Sequence, residues 1–282
     1  MLVTGAARGI GAASAQALAA RGARLALVGL EPDGLRAVAE ACGNGATWHV
    51  ADVADHEALG EAIGAAVAAH GWLDAVFANA GIAILGPLHR LEPADVARQL
   101  EVNLLGAFAT ARAAAEALIA ARGYLLFNAS IAAVSGIPSL GAYAASKAGL
   151  EALADVMRTE LAPHGVDVGV AYFGWVDTDL VRPQAHPDLG PVRRDAPRPV
   201  RTAIPVSRAA DAVVRAMEGR RSSVVAPRWL APAIPLRGVV RPVFGRLGRR
   251  FAPRFEQRWE RAAREHGVHD ASRPRGPSRV GT

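Results

Sequence analysis

The feature that most restricts this chain comes first in it. A short apolar strand, Leu2-Val3, runs into Thr4-Gly5-Ala6-Ala7-Arg8-Gly9-Ile10-Gly11, and a helical segment over 12–21 follows at once. Strand, glycine-rich turn and helix in that order make a phosphate site. Glycines let the backbone come close to a pyrophosphate, and the helix N-terminus offers free N–H groups and a positive dipole end. The spacing is G-x-x-x-G-x-G rather than the more familiar G-x-G-x-x-G. As a bare pattern it also fits a plain tight βα turn.

The rest of the chain continues the alternation. Apolar runs at 24–29, 47–50, 73–78, 125–128, 166–173 and 222–226 read as strands. Helical segments over 33–42, from near Asp55 to His70, and over 92–121, 141–163 and 207–219 separate them. Such βα repeats predict an α/β fold, a doubly wound Rossmann-type sheet of about seven parallel strands flanked by helices.

Ligands in such sheets bind beyond the strands' C-terminal ends, so those ends are where chemistry is sought. The second strand ends at Gly29-Leu30, where a dinucleotide fold normally offers an acid to the ribose hydroxyls of NAD. The missing acid leaves room for a 2′-phosphate that Arg8 would pair with. Glu31 argues the other way if it folds back. NADP is the favoured cofactor and NAD the alternative. The third strand leads to Asp52-Val53, placed to cap an adenine through the side chain and a backbone N–H; Asp52 equally suits a helix N-cap. The fourth ends in Asn79-Ala80-Gly81, where Asn79 can lock the sheet edge while Gly81 lets a cofactor pass close. Asn103 falls near the middle of the long helix over 92–121. Asparagine competes there for backbone hydrogen bonds, which predicts either a kink with a freed carbonyl and a bound water or a solvent-facing side chain.

The fifth strand closes at Ala129-Ser130, and thirteen residues later comes Tyr143-Ala144-Ala145-Ser146-Lys147. Of 32 basic side chains besides histidine, 31 are arginine, and the only lysine stands four residues after a tyrosine. Residues i and i+4 share a helix face. A nearby ammonium lowers a phenol's pKa from its usual value of about 10, making it a usable acid or base near neutrality. Taken alone, the pair fits a half-exposed tyrosine beside a solvated lysine equally well. Ser130 and Tyr143 both belong to the ligand side of the sheet, so their hydroxyls can meet over a substrate oxygen.

Taken in order, the glycine turn, Asp52, Asn79-Ala80-Gly81, Asn103, Ser130 and Tyr143–Lys147 resemble the short-chain dehydrogenase/reductase family, in its one-domain branch. The resemblance covers about residues 1–226. It implies that Tyr143 is the general acid/base, Ser130 holds the substrate oxygen, Lys147 binds the nicotinamide ribose and depresses the tyrosine pKa, and Asn103 holds a relay water. It implies a cofactor lying along Gly5, Arg8, Gly9, Ile10, Gly11, Asp52, Val53, Asn79, Ala80, Gly81, Gly174 and Val176, with Thr178 at the carboxamide. No metal enters this reading. A homodimer or homotetramer built on the helices at about 92–121 and 141–163 is also implied. One departure is Phe173-Gly174, where the family usually has Pro-Gly.

The activity expected is a hydride transfer between nicotinamide and a secondary alcohol or ketone. An apolar substrate is expected, because 179–206 offers Leu180, Val181, Ile204 and Val206 and few acids; this proline- and arginine-rich stretch suits a lid. The rival is a non-catalytic dinucleotide sensor or interaction protein that works through its C-terminal region. Residues 230–282 hold 12 arginines against four acids, a balance of +8, so with a whole-chain charge of +6 the rest carries −2. An acidic main domain speaks against nucleic acid as a partner.

We therefore divide the chain into a catalytic unit over 1–229, a basic amphipathic extension over 230–266 and a disordered tail over 267–282. Pro232, Pro235, Pro242 and Pro253 are expected to break the extension, leaving a charged helix from Ala252 to His266. It either makes peripheral contact with an anionic membrane or packs over the substrate mouth or a partner subunit. Cys42 is the only cysteine, so a reducing cytoplasm is the expected compartment, with membrane association as a variant. No apolar run approaches the roughly 18 residues that suggest a membrane span. Met1-Leu2-Val3-Thr4 opens in mid-strand, and the natural chain is expected to begin a few residues upstream.

Overall fold

In a computed structural model, residues 1–179 and 201–266 are described. The lid expected over 179–206, with Leu180 and Val181, and the tail over 267–282 lie wholly or mostly outside them. Seven strands form one parallel sheet: β1 (Leu2–Thr4), β2 (Ala26–Gly29), β3 (Thr47–Val50), β4 (Ala75–Ala78), β5 (Tyr124–Asn128), β6 (Asp167–Phe173) and β7 (Ser223–Ala226). Their order is β3-β2-β1-β4-β5-β6-β7. The order reverses between β1 and β4, and a crevice opens there beyond the strand ends.

β1, β2 and β4 are buried at every position and β5 at all but its last residue. Helices cover both faces of such a sheet, so these strands read as unbroken apolar runs. One face carries α1 (Gly9–Ala19), α2 (Pro32–Cys42) and α7 (Val206–Glu218), and the other α3 (His56–His70), α5 (Gly106–Ala121) and α6 (Gly141–Leu161). Local chemistry sets the ends. Pro32 opens α2, Asp55 caps α3 by accepting from Ala58 N at 3.1 Å, and Gly71 closes α3 with φ +82°.

The expected long helix over 92–121 is three pieces in one line: α4 (Pro93–Leu100), a π-turn over Glu101–Leu105, and α5. A π-turn is a one-residue widening of the helix, common at functional sites, and Asn103 lies inside it. This run also corrects the membrane expectation. An 18-residue window within Pro93–Ala121 averages a hydropathy of 1.4, enough by length and composition to cross a bilayer. Here it packs on α3, α6 and the sheet.

After β7 comes a short 3₁₀ turn (Arg228–Ala233) and then α8 (Arg237–His266), which runs unbroken through Pro242 and Pro253. The prolines do not break it as expected. An interior proline removes a hydrogen bond and costs about 3 kcal/mol in a free helix. Anchors on both sides of each proline offset that loss. Arg237 Nη1 and Nη2 grip both carboxylate oxygens of Glu151 at 3.0 and 2.7 Å, and Arg241 Nη2 donates to Ala133 O at 3.0 Å. Phe255 and Trp259 are each 6% exposed, as helix packing of these aromatics requires.

Candidate active site

The glycine turn wraps the end of β1 and opens α1. Gly5 and Gly9 have φ of +63° and +59°, which side-chain-bearing residues rarely adopt. A Cβ on Gly11 would collide with the carbonyl of Gly5, and one on Gly5 would come within 2.9 Å of the Ala80 backbone. These close approaches leave a cradle at the N-terminus of α1 suited to a pyrophosphate. Asn79 ties it to the neighbouring strand end. Its Nδ2 donates to Thr4 O (2.9 Å), its backbone N to Thr4 Oγ1 (3.0 Å), and its Oδ1 accepts from Asn128 Nδ2 (2.8 Å). Asn79 therefore locks the sheet edge, as its position suggests.

Thr178 lies over the same turn: its Cγ2 is 3.5 Å from where a Cβ on Gly9 would stand. Val176 holds that approach by bridging to Ile204. Gly174 donates to Ala226 O at 2.9 Å, and a side chain there would press on Leu230 at 3.0 Å.

Beyond β2, Glu31 does reach back. Its Oε1 accepts from Arg8 Nε at 3.1 Å, with both side chains more than half exposed. At β3, Asp52 is not a helix cap, a role that Asp55 fills. Asp52 accepts from Ala54 N (3.0 Å) and from Arg98 Nη2 (2.6 Å). Burial pushes its carboxyl up, yet the Ala54 N–H and Arg98 together hold it below the ordinary range. Neighbouring Val53 packs against Gly106.

Ser130 ends the β5 segment and caps the 3₁₀ turn over Ile131–Val134. Its Oγ accepts from Ala132 N (3.1 Å) and donates to Phe173 O (3.3 Å), and it lies near enough to the Tyr143 hydroxyl to favour the phenolate. The two hydroxyls are thus neighbours on the ligand side of the sheet. One turn along α6, Lys147 is 3% exposed, donates to Asn128 O at 2.6 Å and stands 5.7 Å from the centre of the Tyr143 ring.

The electrostatics correct one expectation. Lys147 does not pull the Tyr143 pKa down here. Burial raises it, and the Ser130 hydroxyl only partly opposes that. Burial also brings Lys147 down to about 8. Desolvation penalises both charged forms, and the ammonium spends its shortest bond on a carbonyl rather than on the phenol.

Asn103 is fully buried, which removes the solvent-facing alternative. Its Nδ2 donates to Ile82 O (2.9 Å) and Ser146 Oγ (3.1 Å), and its Oδ1 accepts from Ile82 N (2.8 Å). It splints the segment after β4 to α6. Gly81 passes just above, where a Cβ would sit 3.1 Å from Asn103 Oδ1 and 3.6 Å from Lys147 Nζ. Sequence reasoning missed Gln99, whose buried Oε1 accepts from Ile84 N. The signal was available: Gln99 and Asn103 are four apart on one helical run, so both face the same backbone.

The surroundings of Tyr143 are apolar. Its ring, Ile137 and Trp175 pack on a small core of Ala83, Leu85 and Leu140. α8 closes on the loops bounding this cluster, with Gly248 against Pro138 and Trp259 beside Gly86. Trp175 carried no sequence signal beyond its size, and Trp259 reads in the sequence only as an aromatic that packs its helix.

The model of the short chain dehydrogenase family matches residues 1–188. The chain is 37% identical over 188 residues to trans-4-hydroxycyclohexanecarboxylate dehydrogenase of Sinomonas cyclohexanicum, covering 64% of this chain and 73% of that one. The structure is similar to an alcohol dehydrogenase from the archaeon Thermococcus sibiricus solved with 5-hydroxy-NADP (28% identity, TM-score 0.68, covering 79% of this chain and 94% of that one). It is also similar to a short-chain dehydrogenase/reductase from Burkholderia phymatum solved with NAD (25% identity, TM-score 0.71, covering 82% and 90%).

Proposed function

This chain belongs to the short-chain dehydrogenase/reductase family, and from that premise we propose that Tyr143 moves the proton in a hydride transfer between nicotinamide and a small apolar secondary alcohol or ketone. The protein is an oxidoreductase of alcohols and ketones that uses a nicotinamide cofactor. The non-catalytic alternative finds no support among its relatives.

The observation that carries the reading is Tyr143 on an apolar wall, with Lys147 Nζ 5.7 Å from its ring and the Ser130 hydroxyl near enough to favour its phenolate. The bound nicotinamide supplies or accepts the hydride. The glycine cradle and the α1 N-terminus hold its pyrophosphate, Asp52 and Val53 its adenine, and Thr178 its carboxamide end. In reduction, Ser130 holds the carbonyl oxygen and Tyr143 gives it a proton. With its pKa raised by burial, Tyr143 is protonated at neutral pH and poised as the acid. Lys147, at about 8, titrates nearest to working pH and can return the proton. Ile137, Leu85, Leu140 and Trp175 favour an apolar substrate body.

NADP is the proposed cofactor. Gly29-Leu30 bring no acid to the ribose, and Arg8 pairs with Glu31 through Nε, so its remaining N–H groups suit a 2′-phosphate. The protein is proposed to work in the cytoplasm as a homodimer or homotetramer, with exposed Leu105 and Phe108 of the α5 side and Val156 of α6 as the apolar contact. Replacing Tyr143 by Phe tests the chemistry. Turnover of apolar ketones should fall by at least about 100-fold, the low end of proton-transfer contributions. NADPH binding, followed by nicotinamide fluorescence, should stay within about twofold. Retained turnover would refute the assignment.

A further inference from the structure

The inner side of α8 is spoken for. Arg237, Arg241, Gly248, Phe255 and Trp259 lie at spacings that keep one helix face turned to the domain, and each has a partner there or is buried. Among the described residues, nothing covers the opposite face. Leu236, just before the helix, Val239 and Val243 are 55%, 65% and 52% exposed, although water disfavours all three. Farther along the same stripe the residues turn basic: Arg246, Arg250 and Arg254 continue the spacing and are exposed. From Arg228 to Arg254 there are seven arginines and no aspartate or glutamate. Arg246, Arg250 and Arg254 form no ion pair with any described residue.

We propose that this outer face of α8 docks on an anionic phospholipid bilayer, lying in the headgroup plane. A helix does so when aliphatic side chains enter the acyl boundary while arginines reach the phosphates. Charge decides among occupants. A second copy meeting this face through a two-fold axis would set the arginines against one another or against the aliphatic end, with no acid on the face to pair them. Nucleic acid would satisfy the arginines but leave Leu236, Val239 and Val243 facing phosphates, with no aromatic on the stripe for bases to stack on. Only an anionic lipid surface matches both halves. Trp229, 47% exposed where the chain enters this segment, has the amphipathic ring that settles at a membrane interface.

Placement gives the docking a use. The inner face of α8 rests on residues of 86–90 and 133–138, the loops that bound the apolar wall around Tyr143. A bilayer on the outer face therefore lies near the substrate mouth, where an apolar alcohol or ketone partitions from lipid. The docking itself does not depend on the catalytic reading.

The test is flotation of the full chain with phosphatidylcholine vesicles, with and without about 30% phosphatidylglycerol, at low and high salt. Binding is expected to the anionic vesicles only and to weaken with salt. Juxtamembrane arginines contribute about 1 kcal/mol each. The triple variant Arg246→Gln, Arg250→Gln, Arg254→Gln should therefore partition less well by on the order of 100-fold. Val239→Asp with Val243→Asp should lower it by at least about tenfold. NADPH titration of each variant reports folding, so loss of the site and loss of docking are separately visible. Equal binding to neutral vesicles, no binding by a parent protein that binds NADPH, or a triple variant that floats like the parent would each overturn the proposal. So would reversible self-association in the parent that the valine variant abolishes, since a second copy would then occupy the face.

Discussion

The pair that fastens α8 to α6 makes the sharpest stability prediction. Glu151 lies one turn beyond Lys147 on α6, and its side chain is 6% exposed, against 40% for Arg237. The two meet through bonds of 3.0 and 2.7 Å, and the Tyr172 hydroxyl donates to the same carboxylate. Removing one partner of a fully buried pair costs about 3–5 kcal/mol, because the remaining charge is left unpaired. Arg237 is well exposed, so water can reach the vacated side, and Tyr172 still supplies one bond. Discounting for both, Arg237→Ala should cost about 2 kcal/mol. For a chain of this size each kcal/mol moves Tm by roughly 2 °C, so the expected fall is about 4 °C. A double-mutant cycle isolates the pair. Glu151→Gln keeps an acceptor for Tyr172 but removes the charge, and the cycle should give a coupling energy of about 1–2 kcal/mol. Thermal unfolding followed by circular dichroism and by tryptophan fluorescence supplies the four values, and agreement of the two probes licenses their use. A coupling below about 0.5 kcal/mol would mean that α8 is not fastened here.

Three further predictions concern titration and cofactor choice. Lys147 sits at about 8 when folded, against its ordinary 10.5. Between those values the unfolded chain binds more protons, so stability rises with pH across that window; Lys147→Met should flatten the rise in the difference between parent and variant denaturation curves, and an unchanged slope would refute the assignment. Since burial also raises Tyr143, kcat/KM for alcohol oxidation should climb with pH beyond neutrality while that for ketone reduction does not. Freeing Arg8 by Glu31→Gln should tighten NADPH by about two- to fivefold relative to NADH, the worth of one exposed ion pair released to a better anion; tightening of NADH instead would make Glu31 an obstacle to the ribose rather than a rival of the phosphate.

Much of this was legible in the sequence, and what was not has one cause. Buried parallel strands announce themselves as apolar runs, so β1, β2, β4 and β5 could be read nearly residue by residue. Asn103 announced a local anomaly because asparagine is out of place inside a helix. The anomaly proved to be a π-turn, and the side chain's use as a splint on Ile82 needed a contact across 21 residues. Asp52 and Asp55 are equally good caps on paper, and Arg98, 46 residues away from Asp52, separates their roles. The prolines of α8 misled for the same reason. The helix rule they invoke is local, while the contacts that overrule it, Glu151 to Arg237 and Gly86 to Trp259, join distant parts of the chain.

The single lysine makes the same point from the other direction: composition singles it out, and only the fold shows that it is buried. Arginine would keep its charge under any burial, since its guanidinium does not lose a proton in proteins. At 147 that would place a permanent, wide cation where the space is 3.6 Å from a potential Cβ on Gly81 and one carbonyl, that of Asn128, serves as the nearest acceptor. An ammonium fits as a compact point charge and, pushed down to about 8, stands near the balance between its two forms. In the proposed reaction, a group so poised would take up a proton and pass it to Tyr143 after that phenol has given one away. A buried charge is costly to the fold, and a side chain that titrates would reconcile that cost with the proposed chemistry.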